Sequence, residues 1–364
     1  MDKPIIIFSH AGDYHAAAVK WALEKRGQDV LLWEGFGEAG SGHATCISGR
    51  LSSAVKLDGR SCDAFASAWF RRRSPCRSLK EVHPDGVGFL KNEASSAHEA
   101  LSLSVESRSD YIVGGVASRR ASSKLLQLEV ARSVGLAVPE TIVSNDYGQV
   151  AQFASRFERI LVKHFLPHYW GHTADGRITG VAPSIIENVA SMNRRSIEIC
   201  PAIYQELVHK AYEIRVTVIG ERLFAARIAS RQGEAFLDWR QEYGNSDMVM
   251  SAMTLDPVTA RGVRSFMDAL DLRFGCFDFA VDHEGTPFFL EVNPGGQFLF
   301  VEEYVPQLHL LDAFVSMLVE GSPRYRLSSD DAITDAAFMD SPEYDVWTRE
   351  RALSGTDERF VTFV

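Results

Sequence analysis

Several absences narrow the field before any motif is read. Cysteine is scarce: five in 364 residues, at positions 46, 62, 76, 200 and 276, an odd number with no C-x-x-C pair. That pattern argues against a disulfide framework and for reduced thiols in a cytoplasmic protein. No apolar run approaches the length of a membrane span. The first residues, MDKPIIIFSH, enter a strand directly and lack the basic start and apolar core of a signal peptide. Long basic blocks are missing too. Net charge is −10, pI is near 5.6, and the arginine clusters at 71–73, 119–120 and 194–195 are isolated. A nucleic-acid binder needs a basic face, so that class is set aside. GFGEAGSGH, within the Gly/Ser-rich stretch 36–62, lacks the strand–GxxxxGK[ST]–helix context of a phosphate loop and reads as an ordinary loop. There is no internal repeat.

What remains is an ordinary globular composition, 46% hydrophobic and 24% charged, long enough for two or three domains with real cores. PIIIF, a helix ending near Gly27, and DVLLWE give a strand–helix–strand opening of an open α/β sheet. Asp13 follows the first strand, where either a helix N-cap or a ligand contact is open to it. DAFASAWF runs into Arg71–Arg73, a basic turn that reads as solvated when judged alone. Residues 86–106 read as a helix, and YIVGG as a strand that closes the first domain.

Residues 118–136 predict one amphipathic helix, with Leu125, Leu128, Val130, Ala131 and Val134 as its apolar stripe. Lys124 stands in its first turn, where the helix dipole disfavours a cation, which hints at an anionic ligand. Lys163 sits between apolar neighbours in the strand RILVKHF. It either snorkels to solvent or meets a phosphate. HYWGHTADGRITGV (168–181) reads as a glycine-containing hairpin or loop, and 184–194 as a helix. AIYQELV is a strand and KAY a short bend. In EIRVTVI, Glu213, Arg215 and Thr217 share one face. Glu213 and Arg215 can be a surface ion pair; Arg227 on the next strand can instead join Arg215 on one anion. LDWRQEY (237–243) places Asp238 and Arg240 near an aromatic. A helix is expected over 256–275, ending at Gly275, and a final one after PGGQFLFVEE. Residues 324–364 are acidic and weakly periodic, and read as a peripheral or partly mobile tail.

The richest stretch is 275–303, a hairpin of FDFAV and FFLEV joined by DHEGTP. If Asp282 and Pro287 close a four-residue loop, Asp278 falls opposite Glu291. Strand alternation then puts Glu291 and Asn293 on one face and Leu290 and Val292 on the other. Two close, unpaired carboxylates repel. A hard cation such as Mg²⁺, with phosphates completing its shell, resolves this as well as a structural hydrogen-bond role does.

The order of these features, from Lys124 to Glu303, resembles the ATP-grasp superfamily: a helix-start lysine, LVKHF, YQELV, EIR, then FDF…FLEVNPGG. AWFRRRSP, SKLLQLEVARSVGLAVPETIVSND, QELVHKAYEIRVTVIGERLFAARI, DWR and LEVNPGGQFLFVE resemble one branch of it more closely, the graspetide (microviridin-type) peptide ligases. The resemblance implies an α/β (α+β) ATP-grasp fold. Its expected parts are an N-terminal pre-ATP-grasp α/β domain (1–117), a small central domain (118–208), a C-terminal antiparallel-sheet domain (209–323) and the acidic tail (324–364). It implies ATP and two Mg²⁺ ions as cofactors. Lys124 and Lys163 would hold the phosphates. Glu206 would offer its carbonyl and Val208 its N–H to adenine, with Gln205 nearby. Glu213 would take the ribose hydroxyls, Arg215 and Arg227 the γ-phosphate and acyl phosphate, and Asp278, Glu291 and Asn293 the metal. A precursor peptide of leader and core, and a homodimer, are the implied partners. Some ATP-grasp ligases carry an arginine two positions before the first metal acid; here that place is Cys276, leaving Arg215 and Arg227 to supply the charge. The implied reaction activates Asp or Glu side chains as acyl phosphates and joins them to Ser/Thr hydroxyls or Lys amines. The alternatives are a RimK-like carboxylate–amine ligase acting on a peptide or protein terminus, and a non-catalytic ATP-binding regulator.

Overall fold

In the computed structural model the described residues are 3–10, 12–36, 42–48, 53–73, 82–165, 169–171, 178–180, 183–231, 247–328, 332–354 and 362–363. The expectations for 237–243, and for the parts of 36–62 and 168–181 between these segments, lie outside them. The opening strand–helix–strand forms as read: β1 (Ile5–Phe8), α1 (Tyr14–Lys25) and β2 (Val30–Trp33). Asp13 is the N-cap, accepting from the His15 N–H at 3.1 Å, and Gly27 follows the helix at φ +71°. Residues 44–62, for which the sequence suggested no element, contribute a small antiparallel sheet of β3 (Ala44–Ser48), β4 (Ser53–Leu57) and β5 (Arg60–Cys62). Its inward Val55, Leu57 and Cys62 join a core with Phe8 and Trp33, an alternation that the flanking glycines obscured. β6 (Phe65–Phe70), α2 (Val87–Glu106) and β7 (Ser109–Val113) complete a parallel four-stranded sheet of order β2-β1-β6-β7.

The helix expected over 118–136 is two: α3 (Gly115–Ala121) and α4 (Lys124–Ser133), broken at Ser122–Ser123. Ser123 caps the second through its hydroxyl, which accepts from the Leu126 N–H. Then come β8 (Thr141–Ser144), α5 (Tyr147–Ala154), β9 (Ile160–Lys163), the short antiparallel pair β10 (Tyr169–Gly171) and β11 (Ile178–Gly180), β12 (Ser184–Ile186), α6 (Arg194–Glu198) and β13 (Ala202–Glu206). The helix read over 184–194 is thus a strand followed by turns, because Ile186 joins the sheet β12-β9-β13-β8 and its core.

The third body is the sheet β16-β15-β14-β17-β18. Its strands are β14 (Lys210–Ile219), β15 (Arg222–Ser230), β16 (Met248–Met253), β17 (Phe274–Asp282) and β18 (Pro287–Asn293), with α7 (Pro257–Ala269) packed on one face. KAY is the start of β14 rather than a bend, with a register shift between Lys210 and Tyr212. Gly275 lies inside β17 rather than ending α7, whose chain reverses at Asp271 (φ +53°).

The C-terminal part is α8 (Leu299–Tyr304), α9 (Leu310–Glu320), α10 (Asp335–Met339), α11 (Pro342–Ser354) and β19 (Thr362–Phe363), which pairs with β11. The described part of the tail is not peripheral. Tyr325 and Phe338 are buried in a core that also holds Trp21, Trp69, Phe274 and Phe314, so this core is shared between the first and third sheets. Composition hid this because the anchoring groups are few and several are acidic. Asp312 pairs with Arg26 and accepts from the Ser328 and Ile333 N–H groups. Glu302 accepts from the N–H groups of Leu311 and Asp335, each at 2.8 Å. No helix among the described residues is long and apolar enough to cross a membrane, and the described cysteines are free thiols.

Asp335 gives a pH prediction. It is 1% exposed and accepts from the Tyr14 hydroxyl at 2.7 Å. Burial pushes its carboxyl up to about 7; the Tyr14 bond opposes this, and Glu302 and Glu303 add to it. The unfolded carboxyl ionises near its ordinary 3.8, whereas the folded one keeps its proton to about 7. Its contribution to stability is therefore complete below pH ~4 and is lost as pH rises through ~7. Asp335→Asn keeps the acceptor for Tyr14 and cannot ionise. Urea unfolding should show the variant gaining on the wild type between pH 5 and pH 8, by up to about 3 kcal/mol. An unchanged difference between the two pH values would refute the assignment.

Candidate active site

The hairpin builds the centre of the site. Asp278 on β17 does pair with Glu291 on β18, but by a different route from the sequence reading. The turn is closed one residue tighter, with Val281 opposite Pro287, and a bulge between Asp278 and Phe279 on one side and Leu290 on the other restores the register. Leu290 therefore does not join Val292 in the core. Leu290 and Glu291 both line the same hollow, while Phe289 and Val292 pack inward with Phe277 and Phe279.

The hollow is shallow and open to solvent. Its walls come from four elements. α4 supplies Lys124, Leu125 and Leu128; β9 and β13 supply Lys163, Ile203 and Gln205; β18 supplies Leu290 and Glu291. Leu128 and Leu290 were assigned to apolar cores by their periodicity, so sequence reasoning missed them as lining residues. Lys124 Nζ lies 3.7 Å from a Glu291 carboxylate oxygen and donates to the His164 carbonyl at 3.0 Å. Lys163 donates to the Gln205 amide oxygen, and the Gln205 amide nitrogen donates to the Thr141 hydroxyl at 2.8 Å. The Glu206 carboxylate accepts from the Glu140 N–H at 3.1 Å, and Val208 follows in the chain leaving β13.

The neighbouring sheet face carries the other candidates. Glu213 and Arg215 hold different partners. Glu213, 5% exposed, accepts from Lys210 at 2.7 Å. Arg215, equally buried, donates to Asp278 at 2.8 Å and to the Gln297 carbonyl at 2.8 Å. Asn293 is exposed at the end of β18, and its side-chain oxygen accepts from the Gly295 N–H at 3.1 Å.

Arg227 is the exception. It pairs with Ile214, whereas Arg215 pairs with Ala226. Directly paired residues share a face, so Arg227 lies on the opposite side of the sheet from Arg215. It sits over the Tyr212 ring at 4.4 Å. The two arginines do not converge, because their spacing across the β14–β15 turn differs by one residue from what convergence requires.

Arg215 lies near Cys276, and a second cation, Arg71, reaches it from the end of β6. Arg71 is buried, not solvated. Its Nε lies 3.2 Å from Asp13, and it donates to the Gly295 carbonyl. Burial alone would raise the Asp13 carboxyl, but Arg71, with His15 and Ser9, holds it well below the ordinary carboxylate range. Burial pushes the Cys276 thiol up, with Arg215 and Arg71 opposing. Cys276 is fully buried, and a Cβ on Gly296 would lie 2.7 Å from the Cys276 Cβ, so an arginine side chain has no room here. Only long-range contact revealed Arg71, and no local sequence signal distinguishes it from Arg72.

One carboxylate, an amide and two lysines line the hollow, with Asp278 paired to Glu291 on the neighbouring strand, and this arrangement suits a metal–nucleotide complex. Among the described residues no cluster of three or more His, Cys, Asp or Glu exists. The donor set therefore suits an ion that takes few protein oxygens and leaves the rest to phosphates and water, as Mg²⁺ does. Arg215 pairs with Asp278 and Lys124 with Glu291.

The hollow lies between the second and third sheets, and the chain has the ATP-grasp fold of the solved structures it matches. No family model matches the sequence. No curated protein matches it. Solved structures do. Macrocyclase MdnC bound with precursor peptide MdnA, from Microcystis aeruginosa MRC, has a TM-score of 0.76 at 24% identity, over 87% of this chain and 100% of that one. The RiPP-associated ATP-grasp ligase of Chryseobacterium gregarium, in complex with ADP and a leader and core peptide, has a TM-score of 0.77 at 20% identity, over 90% and 100%. A RimK domain protein ATP-grasp from Sphaerobacter thermophilus DSM 20745 has a TM-score of 0.51 at 13% identity, over 86% and 99%.

Proposed function

We propose that the chain is an ATP-dependent peptide ligase that activates Asp or Glu side chains of a precursor peptide and closes them onto Ser/Thr hydroxyls or Lys amines of the same peptide. The observation that carries this reading is the hollow lined by Lys124, Lys163 and Glu291, beside the Asp278–Arg215 pair. MdnC, described as a macrocyclase with a bound precursor peptide, shares far more of the fold than the RimK domain protein does, which favours this reading over terminal amino-acid addition. A non-catalytic regulator would have no need for the complete set of lysines, acids and Asn293.

A carboxylate is a poor electrophile and repels ATP. Lys124 and Lys163 hold the phosphates, and Arg215 faces the transferring group. Glu213 takes the ribose, exchanging its Lys210 bond for hydroxyls, and Gln205, Glu206 and Val208 border the adenine beside Leu128 and Leu290. Asp278, Glu291 and Asn293 would hold the metal. When bound, Mg²⁺ offsets the charge between peptide carboxylate and polyphosphate. The γ-phosphoryl passes to the carboxylate, ADP leaves, and the hydroxyl or amine displaces phosphate while releasing its proton. A cytoplasmic homodimer acting on a leader and core belongs to the same reading.

The test is to incubate the chain with ATP, Mg²⁺ and a peptide rich in Thr, Ser, Asp and Glu near its end, encoded beside it, and weigh the peptide. ATP-dependent loss of one water per bond is expected. A gain of one residue's mass would favour the RimK-like alternative.

A further inference from the structure

Gln127 is buried, 3% exposed, in the first turns of α4, and its amide is fully used. Its nitrogen donates to the carbonyls of Ala121 at 2.7 Å and Val292 at 2.9 Å, and its oxygen accepts from the Val292 N–H at 3.1 Å. Val292 lies between Glu291 and Asn293 on β18, the edge strand of its sheet. The Gln127 side chain thus does for Val292 what a neighbouring strand would do, engaging both its N–H and its C=O.

A second tether lies further back on the same edge. Phe289 donates to the Ala137 carbonyl at 2.8 Å, and Ala137 bridges Phe288. Between the two tethers the bulged pair Leu290–Glu291 faces the hollow. Lys124 stands three residues before Gln127 on the same helix, hence one turn away on adjoining faces. The same amide that fixes the strand therefore fixes the helix turn that carries the lysine. A hydrophobic residue would fill this place equally well, yet it would take its side-chain partner from three backbone groups.

We propose that Gln127 is a positioning residue that sets the separation between Lys124 and Glu291, and so the placing of the metal donors against the nucleotide phosphates. This rests on the ligase reading above. It separates the role of Gln127 from that of an ordinary core amide, because its effect falls on metal binding and not only on folding.

The experiment is calorimetric titration of the full chain with ADP, in EDTA and in Mg²⁺, for wild type, Gln127→Met and Gln127→Asn. Methionine keeps the length and removes the bonds; asparagine keeps the amide but is one methylene too short to span both elements. In the wild type, Mg²⁺ tightens ADP binding. In Gln127→Met that tightening should fall by about tenfold, as for loss of an outer-shell partner, while binding in EDTA stays near the wild-type value. Gln127→Asn should fall between the two, and it carries the test if the methionine variant does not fold. Lower melting temperatures with an undiminished Mg²⁺ effect would show a merely structural role and overturn the proposal. A wild type whose ADP binding does not respond to Mg²⁺ would instead sink the ligase reading, and the inference with it.

Discussion

Glu291→Gln should abolish ATP-dependent peptide condensation, with turnover falling by about 10²–10³-fold or more, while the protein stays folded. Glu291 is partly exposed at a bulge, and its partner Lys124 is also partly exposed. Replacing a carboxylate by an amide of the same shape there costs little stability, because a screened pair contributes little. The cost falls on charge placement. One anionic oxygen is removed from the metal donor set, and the loss of a single well-placed electrostatic group typically carries this magnitude in the rate. Turnover by mass spectrometry and a melting curve measured together check it. A variant that melts like the wild type and still turns over within tenfold of it would place the metal elsewhere.

The second large effect belongs to Arg215→Ala. Arg215 is buried, holds Asp278 at 2.8 Å and the Gln297 carbonyl at 2.8 Å, and lies over the Phe300 ring at 5.8 Å. Removing it leaves the Asp278 carboxylate, 4% exposed, without that partner. Breaking a buried pair from one side costs about 3–5 kcal/mol. Lysine should rescue only part, since one ammonium on a flexible stem cannot reproduce the planar fork that reaches both acceptors. Arg227→Gln provides the contrast. Arg227 is exposed on the other sheet face against Tyr212, so its loss should cost within about 1 kcal/mol and leave turnover near the wild-type level. Urea unfolding and turnover of the three variants decide this. Equal loss of turnover in Arg227→Gln and Arg215→Ala would show that both arginines reach the reacting groups.

These contrasts mark where sequence reasoning reached its limit. Lys124, Lys163, Glu213, Asp278 and Glu291 were legible because each is a charge inside an apolar or helical pattern that gives it no structural purpose. The facing of Asp278 and Glu291 was legible as well, although two offsetting errors produced it: a tighter turn and an unseen bulge at Leu290. Bulges leave no reliable trace in alternation, so the inward assignment of Leu290 failed while the opposition of the two acids held. Arg227 failed for the same reason in reverse, since its face depends on the residue count of a turn at Gly220. Gln127 and Arg71 were invisible. Each acts through a backbone group more than 160 positions away, and local pattern holds nothing of such contacts. The tail was misjudged because its acids suggest solvation. Its own Asp335 is buried against Tyr14, and its backbone N–H groups at Ser328, Ile333 and Asp335 are held by Asp312 of α9 and Glu302 of α8.

The central claim is that a peptide carboxylate is phosphorylated before it is joined. The most direct test uses a precursor whose Asp and Glu carboxylates carry a heavy-oxygen label. The carboxylate oxygen that attacks the γ-phosphorus stays with phosphate when the acyl bond breaks. The account predicts ADP as the nucleotide product and one labelled oxygen in inorganic phosphate for each bond closed. Label recovered in AMP would contradict it, and so would closure with no label in phosphate.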